Sequence, residues 1–180
     1  MTTKESDSLF EGQKGFTLVE ALVVMIVGII ILGAAAAGIG KLFRNSEVST
    51  ETSNILQMRA VLRDLVGDGN HGFKDMTNAL AIQYKAIPTN MMIQGDEKIY
   101  NSWGGLVNIG PTDNGESLFI DYYNVPPDAC QRLVLALGSS LKRIQINDQP
   151  IPENVTLKDL GTRCDAGGKD GNKIAFVSDR

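Results

Sequence analysis

The sequence predicts an α+β protein in which a long N-terminal α-helix is packed on a C-terminal head with an antiparallel β-sheet. Three observations predict this fold class. Residues 21–40 form an unbroken apolar run, residues 41–66 contain neither proline nor glycine, and the remainder has short apolar runs separated by turn residues. Because the strand patterns follow one another without regular helices between them, an antiparallel sheet is favoured over a parallel one.

A membrane-spanning helix is predicted by the run ALVVMIVGIIILGAAAAGIG at residues 21–40. A helix of about 20 residues is ~30 Å long, which matches the hydrocarbon core of a bilayer. Lys41 and Arg44 follow the run and would lie among lipid headgroups. Glu20 stands directly before it, and a carboxylate at the centre of a membrane helix costs roughly 2.5–3.5 kcal/mol. A side chain that is so unfavourable indicates a function, so Glu20 is a candidate functional residue.

The helix is predicted to continue through residues 41–66 as an amphipathic segment. One face has apolar side chains at a spacing near 3.5 residues, which is typical of a helix packed on a core. These apolar positions are Val48, Ile55, Met58, Leu62 and Leu65. The other face is polar and carries Glu51, Gln57, Arg59 and Arg63. Gly67 and Gly69 predict the end of the helix.

Four segments of the head have recognisable patterns. A β-hairpin is predicted by NIGPTDNGESLFIDYYNV at residues 108–125, where apolar runs flank the turn residues PTDNG. A helix is predicted by PPDACQRLVLAL at residues 126–137, which begins with proline. Strands are predicted by RIQIN at residues 143–147 and by KIAFVSD at residues 173–179.

The composition gives little support to catalysis, metal binding or nucleic-acid binding. The net charge is −4 without a basic block, which does not favour binding by phosphate neutralisation. A structural zinc site needs about four cysteine or histidine ligands, and the chain has two cysteines and one histidine. The sequence has no P-loop, GxSxG or HExxH motif. We therefore expect no cofactor, no metal ion and no enzymatic activity.

Three further features have simple structural interpretations. The glycine-rich segment at residues 164–173 lacks the ligand order of an EF-hand and predicts a turn. Trp103 is either a ligand platform or, as is more common for tryptophan, part of a core or a subunit interface. His71, within GDGNHG, predicts a loop position.

Residues 14–20, KGFTLVE, stand between a polar leader and the apolar run. This arrangement resembles the class III signal of type IV prepilins, which has a glycine, a hydrophobic residue, three spacers, a glutamate and an apolar helix. The resemblance implies that a membrane peptidase cuts after Gly15 on the cytoplasmic side and that Phe16 becomes the N-methylated terminus. It also implies that Glu20 acts in assembly, where it would pair with the amine of Phe16 and select one register.

The head resembles the heads of type IVb pilins. The segments that carry this resemblance are AIPTNM, NSWGGLVNIGP, YYNVPPDAC and KIAFVSD, in the same order as in that family. Two cysteines are disulfide-bonded in the family, which here implies a bond between Cys130 and Cys164 in an oxidising compartment. The implied pilin fold has a cleaved leader at 1–15, a membrane and assembly half-helix at 16–40, an amphipathic half-helix at 41–67, and a head at 68–180 with a disulfide-bounded region at 130–164.

The resemblance implies a structural major subunit of a type IVb pilus. The chain would enter the inner membrane as a prepilin and polymerise into an extracellular filament on a Gram-negative cell, for adhesion, aggregation or conjugative mating. Its implied partners are identical subunits, the prepilin peptidase, the inner-membrane assembly platform with its ATPase, the membrane, and a host or recipient-cell surface. No nucleic-acid partner is expected.

Three alternatives remain open at this point. The chain could be a minor pilin or a type II secretion pseudopilin, which shares the N-terminal signal. It could also be a soluble secreted domain behind an ordinary signal peptide, because AAAA at residues 34–37 supplies an A-x-A cleavage pattern.

Overall fold

The structure is a computed structural model that describes residues 17–67, 72–152 and 154–179. The predicted leader, Gly15, Phe16, Gly69 and His71 lie outside the described residues. The chain divides into two compact units, Met1–Leu42 and Phe43–Arg180.

The first helix, α1, is Leu18–Val66 and contributes residues to both units. Its length follows from the sequence, because no proline interrupts it and its glycines are few. Gly67 ends the helix at a φ of 53°, in the left-handed region that favours glycine, and its N–H donates to the carbonyl of Arg63 at 3.1 Å. The predicted C-terminal end at Gly67 is therefore confirmed.

The head contains further helices and a sheet among the described residues. The helices are α2 (Asn78–Gln83), α3 (Pro127–Leu137) and α4 (Leu157–Asp165). The strands are β1 (Met92–Gln94), β2 (Lys98–Tyr100), β3 (Leu106–Thr112), β4 (Ser117–Val125), β5 (Arg143–Ile146), β6 (Gln149–Pro150) and β7 (Asn172–Asp179). Short 3-10 turns are at Asp113–Gly115 and Gly168–Asp170.

The strands form one antiparallel sheet in the order β1-β2-β3-β4-β7-β5-β6. The predicted hairpin is the β3–β4 pair, in which Thr112 lies opposite Ser117. The predicted terminal strand is β7, which lies in the middle of the sheet between β4 and β5. The α+β class and the antiparallel sheet are therefore confirmed. The last strand of the chain joins the β1–β4 part of the sheet to the β5–β6 hairpin.

One face of the central strands packs in the core of the head. Leu118, Ile120 and Tyr122 of β4 are buried on this face, and the Tyr122 ring meets Phe176 of β7 edge to face at 5.8 Å. Helix α1 contributes its apolar stripe to the same core, namely Val48, Ile55, Met58 and Leu62. Each fully buried side chain of this kind contributes roughly 1.5–3 kcal/mol by removal from water.

Two sequence-based assignments on α1 are wrong. Leu65 was assigned to the packed face but is 41% exposed, because Val66 packs against the core instead at the last turn of the helix. Glu51 was assigned to the polar face but is only 1% exposed. Its position explains the error, since it is three residues after Val48 and four before Ile55 and therefore shares their face.

Candidate assembly site

Glu20 lies in the first turn of α1 with an exposed side chain. Its N–H donates to Thr17 Oγ1 at 3.3 Å, and the N–H of Ala21 donates to the Thr17 carbonyl at 3.1 Å. Thr17 therefore caps the helix and fixes where it begins. Among the ion pairs of the described residues, none includes Glu20. Its carboxylate is free to meet a positive group from outside this set.

The segment Leu18–Ala36 has the length and composition of a membrane span, with a mean hydropathy of 2.7 and none of it buried. Its large side chains are exposed, from 48% at Val27 to 83% at Leu18. An apolar surface of this size is not stable in water and needs lipid or other apolar helices around it. The single described carboxylate in this segment is Glu20.

The disulfide that the resemblance implies is present in the structure. Cys130 of α3 and Cys164 of α4 are fully buried and bonded, with their Cα atoms 5.8 Å apart. Asn172 supports the same corner, because its Nδ2 donates to the carbonyl of Cys164 at 2.6 Å and to that of Val125 at 3.2 Å. No local pattern in the sequence indicates this role of Asn172, which links α4 to the start of β7.

Lys142 joins two carboxylates at one end of the sheet. Its Nζ lies 2.7 Å from Asp179 and 3.2 Å from Asp113. The hydrogen bond from Lys142 lowers the pKa of Asp179, and hydrogen bonds from Ser117 and then Lys142 lower the pKa of Asp113. In return, the hydrogen bond to Asp179 raises the pKa of Lys142.

Lys173 forms a second cluster near the start of β7, at the opposite end of this strand from Asp179. Its Nζ lies 2.7 Å from Asp148, 3.3 Å from Asp121, and 5.7 Å from the centroid of the Tyr123 ring. Burial raises the pKa of Asp121, and the charge of Lys173 opposes this shift. The hydrogen bond to Asp148 is the main cause that raises the pKa of Lys173.

Trp103 is half-buried in the loop between β2 and β3. Its Nε1 donates to Glu47 Oε2 of α1 at 3.2 Å, so the indole belongs to the contact between α1 and this loop. One side of it borders an open depression beside Pro126, Pro127 and Lys169. The glycine-rich segment at 164–173 forms the end of α4, a 3-10 turn and the start of β7. Within the described ranges, no group of three or more metal-ligating side chains occurs.

Comparison with protein families assigns both parts of the chain. A family model described as "PilS N terminal" matches residues 45–179, which is most of the chain. The chain belongs to the PilS family. A second model, described as "Prokaryotic N-terminal methylation motif", matches residues 12–36, which include Gly15, Phe16 and Glu20.

Individual pilins agree with this assignment. The major structural subunit of the bundle-forming pilus of Escherichia coli O111:H- is 22% identical over 163 residues, covering 87% of this chain and 81% of that protein. The protein of the same description from E. coli O127:H6 is 23% identical over 141 residues, covering 75% and 71%. The solution NMR structure of the type IVb pilin PilS from Salmonella typhi has a TM-score of 0.50 at 20% identity, covering 74% of this chain and 96% of that one.

The chain is therefore a type IV pilin with the fold of a type IVb pilin. It is a structural subunit and not an enzyme. A pilin with this motif and an apolar N-terminal helix is anchored in the membrane as a prepilin and then becomes part of an extracellular pilus.

Proposed function

We propose that this pilin is the major subunit of a type IVb pilus, that it is cleaved after Gly15, and that Phe16 is then N-methylated. The mature chains polymerise through their apolar helix halves into a helical filament of identical subunits. A prepilin peptidase, an inner-membrane assembly platform and its ATPase carry out these steps. The filament serves adhesion, aggregation or conjugative mating through contacts with a host or recipient-cell surface.

One observation carries this proposal. Helix α1 begins with the apolar segment Leu18–Ala36, none of which is buried, and the one carboxylate of this segment, Glu20, lies in the capped first turn. A plain membrane anchor gains nothing from a carboxylate at this position, since burying a charge in lipid is unfavourable. A carboxylate is useful in a segment that must later leave the membrane, because it can favour one position of the helix relative to a neighbouring subunit.

Cleavage would create the positive group with which Glu20 can pair. Cutting after Gly15 creates an α-amine on Phe16, about one helical turn before Glu20. In apolar surroundings the attraction between an amine and a carboxylate is much stronger than in water. The Glu20 of an incoming subunit therefore favours the one axial position that brings it to the amine of a subunit already in the filament, and an unpaired Glu20 disfavours every other position.

The heads then lie side by side through different surfaces of neighbouring copies. Such heterologous contacts generate an open helix and not a closed ring. The two lysine-centred clusters and the loop that carries Trp103 are polar surface features of the head that such contacts can use.

The test is intact-mass analysis of pilin sheared from cells and of pilin left in membranes. We expect sheared pilin to begin at methylated Phe16 and to be the most abundant protein of the filament. A terminus near Ala37 would instead support an ordinary signal peptide, and a low copy number would support a minor pilin. Gly15→Val should leave the full-length prepilin in the membrane, because a peptidase site that fits a bare backbone rejects a branched side chain.

A further inference from the structure

Glu51 is a buried carboxylate in the part of α1 that belongs to the head. Its side chain is 1% exposed, and each of its two carboxylate oxygens accepts two hydrogen bonds. Oε1 accepts from the N–H of Ser102 at 2.7 Å and from the Ser102 hydroxyl. Oε2 accepts from the hydroxyl of Tyr122 at 3.0 Å and from Asn54 Nδ2 at 3.1 Å. Three elements, namely α1, the β2–β3 loop and β4, therefore meet at one side chain.

This arrangement is not needed for stability alone. Among the ion pairs of the described residues, none includes Glu51, so four neutral donors compensate the buried carboxylate. Replacing a buried polar group together with its partners by apolar side chains of similar shape is often neutral or stabilising. The best-attested benefit of a buried polar group is that it specifies one arrangement among several of similar energy.

The apolar stripe of α1 allows such alternative arrangements. Val48, Ile55 and Leu62 are spaced by seven residues, and all three lie in the same core. A slide of the helix by seven residues would place Val48 in the site of Ile55, and Ile55 in the site of Leu62. Apolar contacts are not directional, so these exchanges alone distinguish the two positions weakly.

Glu51 distinguishes the two positions sharply. After the same slide it would occupy the site of Met58, which is buried among apolar groups. A slide in the opposite direction would bring Met58 to the site of Glu51 and leave the donors of Ser102 and Tyr122 without an acceptor. Either slide loses the three hydrogen bonds from Ser102 and Tyr122, because their geometry is directional, whereas Asn54 lies on α1 and moves with Glu51.

We propose that Glu51 fixes the axial register of α1 on the sheet of the head and, through Ser102, the shape of the β2–β3 loop. The residues on either side of Ser102 in the β2–β3 loop are also held by hydrogen bonds. Asn101 Oδ1 accepts from the N–H groups of Trp103 and Gly105 at 3.0 Å each. One turn before Glu51, Glu47 Oε2 accepts from the indole of Trp103. Glu51 is thus a positioning residue of the single subunit, and this inference does not rest on the proposed cleavage or polymerisation.

The indole of Trp103 reports this register directly, because the chain has one tryptophan. We would record the indole ¹⁵N–¹H signal of ¹⁵N-tryptophan-labelled full chain in detergent micelles. The wild type should give one signal. Glu51→Met, which removes the acceptor but fills the volume, should give a second signal or lose the single one by exchange broadening. Glu51→Gln keeps an acceptor for Ser102 and should keep one signal.

Two further variants keep the test decisive if Glu51→Met does not fold. The double variant Ser102→Ala with Tyr122→Phe removes two donors, keeps Glu51, and should also show a second indole signal. Its matched control, Ser49→Ala with Tyr84→Phe, changes the same groups at exposed positions and should show one. A single unshifted signal in every folded variant without the acceptor or the two donors would overturn the proposal, whatever the melting temperature.

Discussion

Glu20 is the residue at which the pilin's charge and its membrane segment conflict most strongly. We expect Glu20→Gln to keep size and hydrogen bonding but to remove the charge that, in the proposed assembly, pairs with the amine of Phe16. Filament yield should then fall tenfold or more, since about 1.4 kcal/mol corresponds to a tenfold change in an association constant. The measurement is sheared pilin relative to total pilin, with cleavage at Gly15 checked by mass.

The control for this prediction is Glu116→Gln, which removes an exposed carboxylate of the head. It should leave filament yield unchanged. Wild-type yield from Glu20→Gln would mean that Glu20 does not select the register of assembly, whereas failure of cleavage would mean that it acts earlier, on the peptidase.

Gly105 is the head position least able to accept a side chain. A Cβ there would lie 1.8 Å from the backbone oxygen of Tyr123 and 2.9 Å from the Cβ of Asn124. Gly105→Ala must therefore separate β3 from β4 and should lower the free energy of unfolding by about 2 kcal/mol or more. Urea denaturation followed by circular dichroism measures this loss.

Gly161→Ala is the matched control, because the added Cβ has only Gln131 Nε2 nearby, at 3.8 Å. Gly161 is inside α4, where alanine is favoured over glycine by about 1 kcal/mol. This variant should be more stable than the wild type. Equal effects of the two substitutions would show that the close packing at Gly105 is not maintained in solution.

Glu20 and Glu51 of α1 show what residue type can and cannot predict. Glu20 was found because a charge beside an apolar run is conspicuous in any sequence. Glu51 was missed because its charge suggested the polar face, although its spacing from Val48 and Ile55 placed it on the apolar one. The donors that make its burial possible, Ser102 and Tyr122, are distant in sequence, so no local pattern indicates them.

At the scale of elements, the sequence predicted those with long periodic patterns. Helix α1, the β3–β4 hairpin, α3, β5 and β7 were all indicated. The elements that were missed are α2, α4, β1, β2 and β6, which are short and rely on contacts from the rest of the head. Helix α4 contains a glycine, which weakens its pattern, yet Thr156 caps it by accepting from the N–H of Asp159 at 3.1 Å, and this cap could have been read from the sequence.

The disulfide is the covalent link between α3 and α4. Its two cysteines are separated by 34 residues, and closing a loop of that size should contribute ~3–4 kcal/mol in the chain-entropy model. We expect Cys130→Ser with Cys164→Ser to lower the melting temperature of the head markedly while leaving cleavage at Gly15 intact. Thermal unfolding with and without reductant measures the loss, and an unchanged melting temperature of the reduced wild type would contradict it.

The cluster around Lys142 joins the ends of β4 and β7 and should make stability depend on acid. The pKa values of Asp113 and Asp179 are lowered from 3.8, so their stabilising contribution is fully present above pH 3.8 and is lost as the pH falls through the lowered values. Lys142→Met should therefore lower the melting temperature at pH 7 but have a much smaller effect near the acid end of that window.

The pH comparison needs a control for the loss of a lysine as such. Lys158→Met changes an exposed lysine of α4 and should shift the melting temperature little at either pH. A Lys142→Met effect of the same size at both pH values would mean that its carboxylate partners do not carry the stabilisation.

At the scale of the whole molecule, the chain consists of two units that are stable in different surroundings. Residues 43–180 contain the core, the sheet and the disulfide, whereas Leu18–Ala36 has no buried part and needs lipid or the same segment of other copies. The two family matches divide the chain in the same way, with one on each side of residues 37–44. This division suits a subunit that moves from a membrane into a filament without refolding its head.

We therefore expect a chain that begins at Phe43 to fold alone. It keeps Val48 and Glu51 and should be monomeric in water, with the disulfide formed and one cooperative thermal transition, but it should not enter filaments. A chain that begins at Thr52 is the matched control, because it loses those two contacts of α1 and should melt at a lower temperature with a less ordered Trp103. Gel filtration without detergent, circular dichroism and tryptophan fluorescence test this. Aggregation of the chain from Phe43 would show that the head depends on residues before 43. Equal melting temperatures of the two chains would show that residues 43–51 of α1 do not stabilise the head.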